Sequence, residues 1–163
     1  MTDERHRRTP TPEQLRIWRG FVETSATLRE RLAAQLQNSS ALSTGDYQVL
    51  LALSEAPGHA ARSSELAAVI DWERSRLSHH LGRMEKRGLV RREPRADGAH
   101  GVDVHLTDGG AAAFRSANVP HLRAIRDLFV DALSPEQLAA IDDVSTALRR
   151  HLDGDGDDGS GRR

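Results

Sequence analysis

Apolar residues recur along this chain mostly at helical spacing, with one break to strict alternation past its middle. Leu15, Trp18, Phe21 and Val22, then Leu28, Leu32 and Leu36, mark a stripe that runs to about residue 37. Thr11-Pro12-Glu13-Gln14 opens it, with Thr11 as N-cap, Pro12 at the first helical position and Gln14 closing a capping box. A second start follows at Leu42-Ser43-Thr44-Gly45-Asp46, where Ser43 and Asp46 have capping-box spacing and Leu42 is a hydrophobic staple. Tyr47, Val49, Leu50, Leu51 and Leu53 then form an apolar helix that Pro57-Gly58 ends. A short helix is predicted from Ser63 or Ser64 to Ile70, with Leu66, Ala67, Val69 and Ile70 inward, and a turn at Asp71-Trp72. In the next helix, 73–87, Leu77, Leu81 and Met84 fall at i, i+4 and i+7, and Gly88 is placed as its stop. The period then drops to two. Leu89–Glu93 and Val102–Leu106 read as paired strands around a polar, glycine-bearing segment, 94–101, expected to be a flexible hairpin tip. Thr107 caps a further helix, started weakly by Gly109-Gly110, which Pro120 is expected to kink or interrupt; Leu122, Ile125, Leu128, Phe129 and Leu133 prolong its stripe. Ser134-Pro135-Glu136-Gln137 repeats the opening grammar and starts a last helix carrying Leu138, Ile141, Val144, Leu148 and Leu152.

The fold class expected from this order is mainly α with a small β-hairpin wing (α+β), built on a winged helix-turn-helix. A length of 163 residues suits one domain with extensions. The first helix, some 25 residues by its stripe, is long for so small a domain, which suggests that something beyond the domain covers part of it. Residues 1–10 and the Asp/Gly-rich 153–163 are expected to be disordered. The chain lacks cysteine, which removes disulfides and thiolate metal sites. No apolar run approaches the roughly 20 residues of a membrane span, and the polar, basic first residues do not resemble a secretory signal. A soluble, cytoplasmic protein is the expectation.

Charge changes the picture through its distribution. The net formal charge is -1, yet between Glu73 and Arg95 eight Lys/Arg face three Glu, a local excess of five that leaves -6 for the remainder. A basic block in an acidic chain is the footprint of an anionic partner. It coincides with the helix behind the turn, where Arg74, Ser75, Arg76, Ser78, His79, His80, Arg83, Lys86 and Arg87 surround the apolar stripe. Most of these are donors suited to phosphate oxygens or base edges. Arg74, Ser75, Arg76, Ser78, His79 and His80 occupy the N-terminal half, which reaches bases; Arg83, Lys86 and Arg91 suit phosphates. Ser63 and Ser64, at the start of the preceding helix, join the candidate DNA-contact set.

The series Ser64-Glu65-Leu66-Ala67, then Arg76 through Arg92, then Asp97-Gly98 and Val102 through Gly110, resembles the MarR family of bacterial transcription factors over roughly residues 12–152. The resemblance implies a homodimer whose first, fifth and sixth helices interleave. It makes 11–37 and 107–152 dimerisation helices and 38–106 the winged helix-turn-helix DNA-binding domain. It further implies a palindromic double-stranded DNA operator, a recognition helix in each major groove and a wing in the flanking minor groove. Wings of the family usually carry an arginine shortly after the aspartate. This chain has Gly98-Ala99-His100-Gly101 there, so that role passes to His100 or Arg95. The function implied is a homodimeric repressor released by a small-molecule ligand. Many members bind small aromatic acids in a crevice between the dimer helices and the DNA-binding lobe, which makes Trp18, Tyr47 and Trp72 candidate ligand contacts and Arg16, Arg19 or Arg62 carboxylate partners.

Other chemistry finds less footing. His79 and His80 are adjacent and diverge on a helix, the remaining histidines are scattered, and the tail departs from a calcium loop at Asp158, so no metal or cofactor is expected. No nucleophile elbow, phosphate loop or HExxH motif occurs, so an enzyme is not expected. Two alternatives remain: a zinc-responsive regulator of the same fold, and a winged-helix protein-interaction module that does not bind DNA.

Overall fold

The computed structural model describes residues 9–95 and 101–154. The chain forms α1 (Pro12–Ser40), α2 (Thr44–Glu55), a single 3₁₀ turn (Pro57–His59), β1 (Ala60–Arg62), α3 (Ser63–Val69), α4 (Arg74–Lys86), β2 (Val90–Pro94), β3 (Val102–Leu106), α5 (Asp108–Ile125), a π-helical turn (Arg126–Val130) and α6 (Pro135–Gly154). Two compact units result, one up to Ala124 and one from Ile125 onward. No helix among the described residues is long and apolar enough to cross a membrane. The mainly helical fold with a small wing agrees with the pattern of apolar positions.

The predicted caps are present. In α1 the Gln14 N–H donates to the Thr11 hydroxyl and the Thr11 N–H donates to Gln14 Oε1. In α2 Ser43 and Asp46 exchange the same pair of bonds, and Leu42 shares a buried cluster with Tyr47, as a staple requires. In the second unit Ser134 and Gln137 cap α6 reciprocally. Helix α1 continues three residues past the predicted end, to a left-handed Ala41 (φ 56°).

The core of the first unit lies where α2, α3 and α4 meet the sheet. Leu50 and Leu53 from α2, Leu66 from α3, Leu77 and Met84 from α4 and Val104 from β3 are all essentially inaccessible. Leu36 at the far end of α1 and Ala117 of α5 join them. The hairpin has the expected strands, with Val90 opposite Leu106 and Pro94 opposite Val102. It also has a third strand that the sequence did not suggest. Ala60–Arg62 pairs antiparallel with the other edge of β3, giving the order β1-β3-β2. Ala-Ala-Arg has little strand propensity, and its pairing is imposed by the open edge of β3.

Three other expectations change. Pro120 lies inside α5 without interrupting it. Its missing N–H deprives only the carbonyl of Ser116, an exposed residue, which limits the cost. Beyond Ile125 the chain winds as a π turn rather than continuing the α-helical stripe. The start of α5 is not weak: Thr107 accepts the Gly110 N–H at 2.9 Å and donates to the Gly88 carbonyl at 2.6 Å. The expected hairpin tip is described only at its ends, 94–95 and 101, and the expected disorder of 1–8 and 155–163 lies outside the described residues; 153–154 belong to α6.

Gly110 is set against backbone. A Cβ there would lie 2.0 Å from the Leu89 carbonyl oxygen and 2.9 Å from the Leu106 side chain. Gly82, in mid-α4, would meet only the end of Arg92 at 3.8 Å. Gly110→Ala should therefore destabilise by about 1–3 kcal/mol through overpacking, whereas Gly82→Ala should stabilise by about 0.5–1 kcal/mol through helix propensity. Urea-denaturation midpoints at unchanged slope measure both, and equal midpoints for the two variants would contradict the close approach.

Candidate nucleic-acid interface

Helix α4 divides into two faces. Leu77, Leu81 and Met84 are at most 1 % exposed and fix it to the core. Arg74, Ser75, Arg76, Ser78, His79, Arg83 and Lys86 are all exposed. Gly88, in the left-handed conformation (φ 72°), stops the helix, and Leu89 and Val90 return to the core at the start of β2. Exposed Arg91 follows on β2, where it pairs with Glu93 at 3.0 Å. Ser63 and Ser64 occupy the first turn of α3, and neither serves as its cap, which is Arg62. Arg62 itself pairs with Glu65 at 3.5 Å.

His80 departs from its expected place. Only 8 % exposed, it belongs to the inward face of α4 beside Leu77 and Leu81. It lies three residues past Leu77 and four before Met84, within the buried stripe, so the polar ring points under the outer face. There its Nε2 lies 3.0 Å from Oδ1 of Asp46, close but poorly aligned for a hydrogen bond. Nδ1 lies 2.9 Å from Nη2 of Arg83. A direct DNA contact is replaced by a contact beneath the surface.

Asp46 is 2 % exposed and is the centre of this network. Its Oδ2 accepts Nη1 of Arg87 at 2.7 Å and the Ser43 N–H at 2.9 Å. Arg87 also donates to the carbonyl of Ala41 at 3.0 Å, joining the end of α1, the start of α2 and the end of α4. Burial pushes the Asp46 pKa up, but the hydrogen bonds from Arg87 and Ser43 and the Arg87 charge outweigh it, and the carboxyl stays below its ordinary value. For His80, burial lowers the pKa, the Asp46 charge opposes it, and the Arg83 and Arg76 charges reinforce it; the net shift is downward.

Trp72 packs edge-to-face with His80 at 5.1 Å between ring centres, and the guanidinium of Arg76 lies 4.0 Å from the indole centre. A Cβ on Gly45 would come within 2.7 Å of Trp72 and 3.0 Å of His80, so glycine in the first turn of α2 admits both rings. On the wing side, Glu85 of α4 accepts the Arg92 N–H at 2.9 Å and its guanidinium at 2.7 and 2.9 Å, binding β2 to α4. These bonds from Arg92 draw the Glu85 pKa down. Arg95 is largely covered and approaches Asp103 at 3.9 Å. His100 lies outside the described residues.

The three candidate ligand aromatics have separate neighbours. Trp18 is 59 % exposed on α1. Trp72 belongs to the His80 network. Tyr47 donates to Oδ1 of Asn118 at 2.6 Å and packs against Phe114 and His121. Burial, then the Glu55 charge, raises the Tyr47 pKa, and burial lowers that of His121. Among the described residues, no three His, Asp or Glu side chains converge as metal ligands. The sequence did not show the roles of Asp46, Glu85, Arg87 and Arg92: Asp46 carried only its capping-box spacing, and Arg87, grouped with the outer donors of α4, is instead held on Asp46 and the Ala41 carbonyl.

A family model described as the MarR family matches residues 42–99. AbsC from Streptomyces coelicolor, a MarR family transcriptional regulator, is 35 % identical and superposes with a TM-score of 0.84, covering 90 % of this chain and 99 % of its own. Sco3205 of the same organism, another MarR family regulator solved in complex with DNA, is 34 % identical with a TM-score of 0.84, covering 89 % and 91 %. An organohalide-sensing regulator, RdhR, solved with 2,4-dichlorophenol, shares the fold at 21 % identity and a TM-score of 0.75, covering 91 % and 89 %. No curated protein matches the chain.

The depressed His80 pKa has a definite consequence for stability. The unfolded chain binds that proton more tightly than the folded one, so this group's contribution to stability falls as pH drops below about 6.5 and levels off below the folded pKa. In a Trp18→Phe background, where Trp72 is the remaining indole, protonation of His80 should quench its fluorescence with a midpoint below 6.5. A midpoint at or above that value would contradict the buried, neutral ring.

Proposed function

The chain belongs to the MarR family, and we propose that it is a sequence-specific DNA-binding transcriptional regulator, a homodimeric repressor of a palindromic operator. The observation that carries this reading is the division of α4: an apolar face held in the core and an outer face presenting Arg74, Ser75, Arg76, Ser78, His79, Arg83 and Lys86. Donors at the N-terminal half of such a helix suit base edges, and Arg83, Lys86 and Arg91 suit phosphates. The DNA complex of Sco3205, a relative with 34 % identity, supports carrying that partner over.

Dimerisation is supported by apolar surface on each unit. In α1, Ile17, Trp18 and Phe21 are 56–59 % exposed, and in α6 Val144 and Leu148 are about half exposed. Contiguous apolar faces of this kind mark interfaces. A dimer would hold two recognition helices for half-sites about one helical turn, roughly 10 bp, apart. Residues 11–37 and 107–152 are accordingly the proposed dimerisation helices and 38–106 the DNA-binding domain. Release by a small aromatic ligand is part of the proposal; the 2,4-dichlorophenol complex of RdhR supports that chemistry. Tyr47, Trp18 and Trp72 are its candidate contacts. Of the wing candidates, Arg95 and His100, neither is preferred.

Arg76→Ala should weaken binding to a preferred duplex by about 1–3 kcal/mol and bind random duplex with a smaller loss, as titrations at fixed salt would reveal. An equal loss on both would make Arg76 a phosphate contact, and salt-insensitive or absent binding would favour the protein-interaction alternative. Sedimentation should give a dimer, which Phe21→Asp shifts toward monomer; a monomeric parent protein would contradict the interface.

A further inference from the structure

The DNA reading uses the outer face of α4 and leaves unexplained why a histidine is buried beneath it. A guanidinium carries donors only, so Nδ1 of His80, 2.9 Å from Nη2 of Arg83, must present its lone pair. The ring proton then sits on Nε2, on the side of Asp46. Asp46 cannot readily turn away, because Ser43 and Arg87 hold its other oxygen and the residue is buried. The imidazole is thus placed with its acceptor nitrogen on Arg83 and its N–H on the side of a buried carboxylate. The charged groups facing it are Asp46 from α2 and Arg76 and Arg83 from α4, with Arg87 on the far side of Asp46.

The same ring supports two arginines. Arg83 is held directly, and Arg76 is held over Trp72, whose indole packs against His80 and is backed by Gly45. Arg76 and Arg83 are seven residues apart, two turns along one face, about 10 Å of helix axis. Resting on the reading of α4 as a DNA-contacting helix, we propose that His80 is a positioning residue: it fixes Arg76 and Arg83 in their DNA-contacting orientations before DNA arrives, and so strengthens the base contact of Arg76 and the phosphate contact of Arg83 without touching DNA. Long arginine side chains that are ordered in advance lose less freedom on binding.

The test uses the full-length protein and two probes: a duplex enriched from a random pool by the wild-type protein, and an unselected duplex of equal length. His80→Gln places an amide near Asp46 but no acceptor near Arg83. His80→Asn places Oδ1 about where Nδ1 stood. His80→Gln should lose roughly tenfold in affinity for the enriched duplex, of the order expected for one misplaced base contact, and less for the unselected one. The penalty should shrink severalfold in an Arg83→Ala background, and His80→Asn should recover most of the affinity. Thermal melting accompanies every variant. If His80→Gln fails to fold, His80→Asn is compared with His80→Ala: affinity that Asn keeps and Ala loses, with that difference shrinking in an Arg83→Ala background, supports the inference, and equal affinities overturn it. Unchanged or tighter binding by His80→Gln, penalties additive with Arg83→Ala, or loss in folded His80→Asn equal to that in His80→Gln would overturn the positioning role and leave the DNA reading intact. If the wild-type protein enriches no duplex, the DNA reading fails and this inference with it.

Discussion

The carboxylate of Asp46 is the contact on which the geometry of the reading helix depends. It is buried, and a buried charge must be met by donors or it is severely destabilising. Here the donors come from separate segments, Ser43 at the entrance of α2 and Arg87 at the exit of α4, while Nε2 of His80, in mid-α4, lies beside the other oxygen. Satisfying that one charge therefore ties the end of α4 to the start of α2, His80 packs against the same carboxylate two turns earlier, and Arg87 extends the tie to the carbonyl of Ala41 at the end of α1. Apolar packing by Leu77, Leu81 and Met84 holds α4 in the core but would tolerate small rotations and slides. The directional contacts at Asp46 restrict both.

Most of the fold was legible because its signals are local. Thr11 and Gln14, Ser43 and Asp46, and Ser134 and Gln137 each specify a helix start within four residues, and all three starts are where expected. The change of period after Gly88 likewise marks the strands. What was not legible depends on partners distant in sequence. Ala60–Arg62 is a strand only because β3 offers it an edge. Gly110 looked like a poor helix former and proves to be where α5 meets the Leu89 carbonyl. Pro120 breaks a hydrogen bond that an exposed turn can do without.

On α4, the sequence marked the polar positions but could not separate the exposed ones from the buried one. Arg76 and His80 both carry polar groups on α4, and composition treats them alike. Their difference is angular: His80 falls within the stripe of Leu77, Leu81 and Met84, whereas Arg76 falls outside it. The buried pairing that makes this tolerable joins positions 46 and 80, and no local spacing announces it. Glu85 was set against the basic count as an acidic residue, yet it holds Arg92 and with it the wing strand.

The short strand β1 has a mechanical consequence. It runs directly into α3, while α4 passes through the three-residue turn 87–89 into β2, and both strands pair with β3. The segment from Ser63 to Leu89 is therefore a loop clamped at both ends to one strand, Arg62 opposite Asp103 and Val90 opposite Leu106, about 10 Å apart along β3. A clamped loop cannot slide along its own axis or swing about a single hinge. The helix-turn-helix and the described part of the wing therefore share β3 as a common root, so the register of either edge strand bears on where α4 is held.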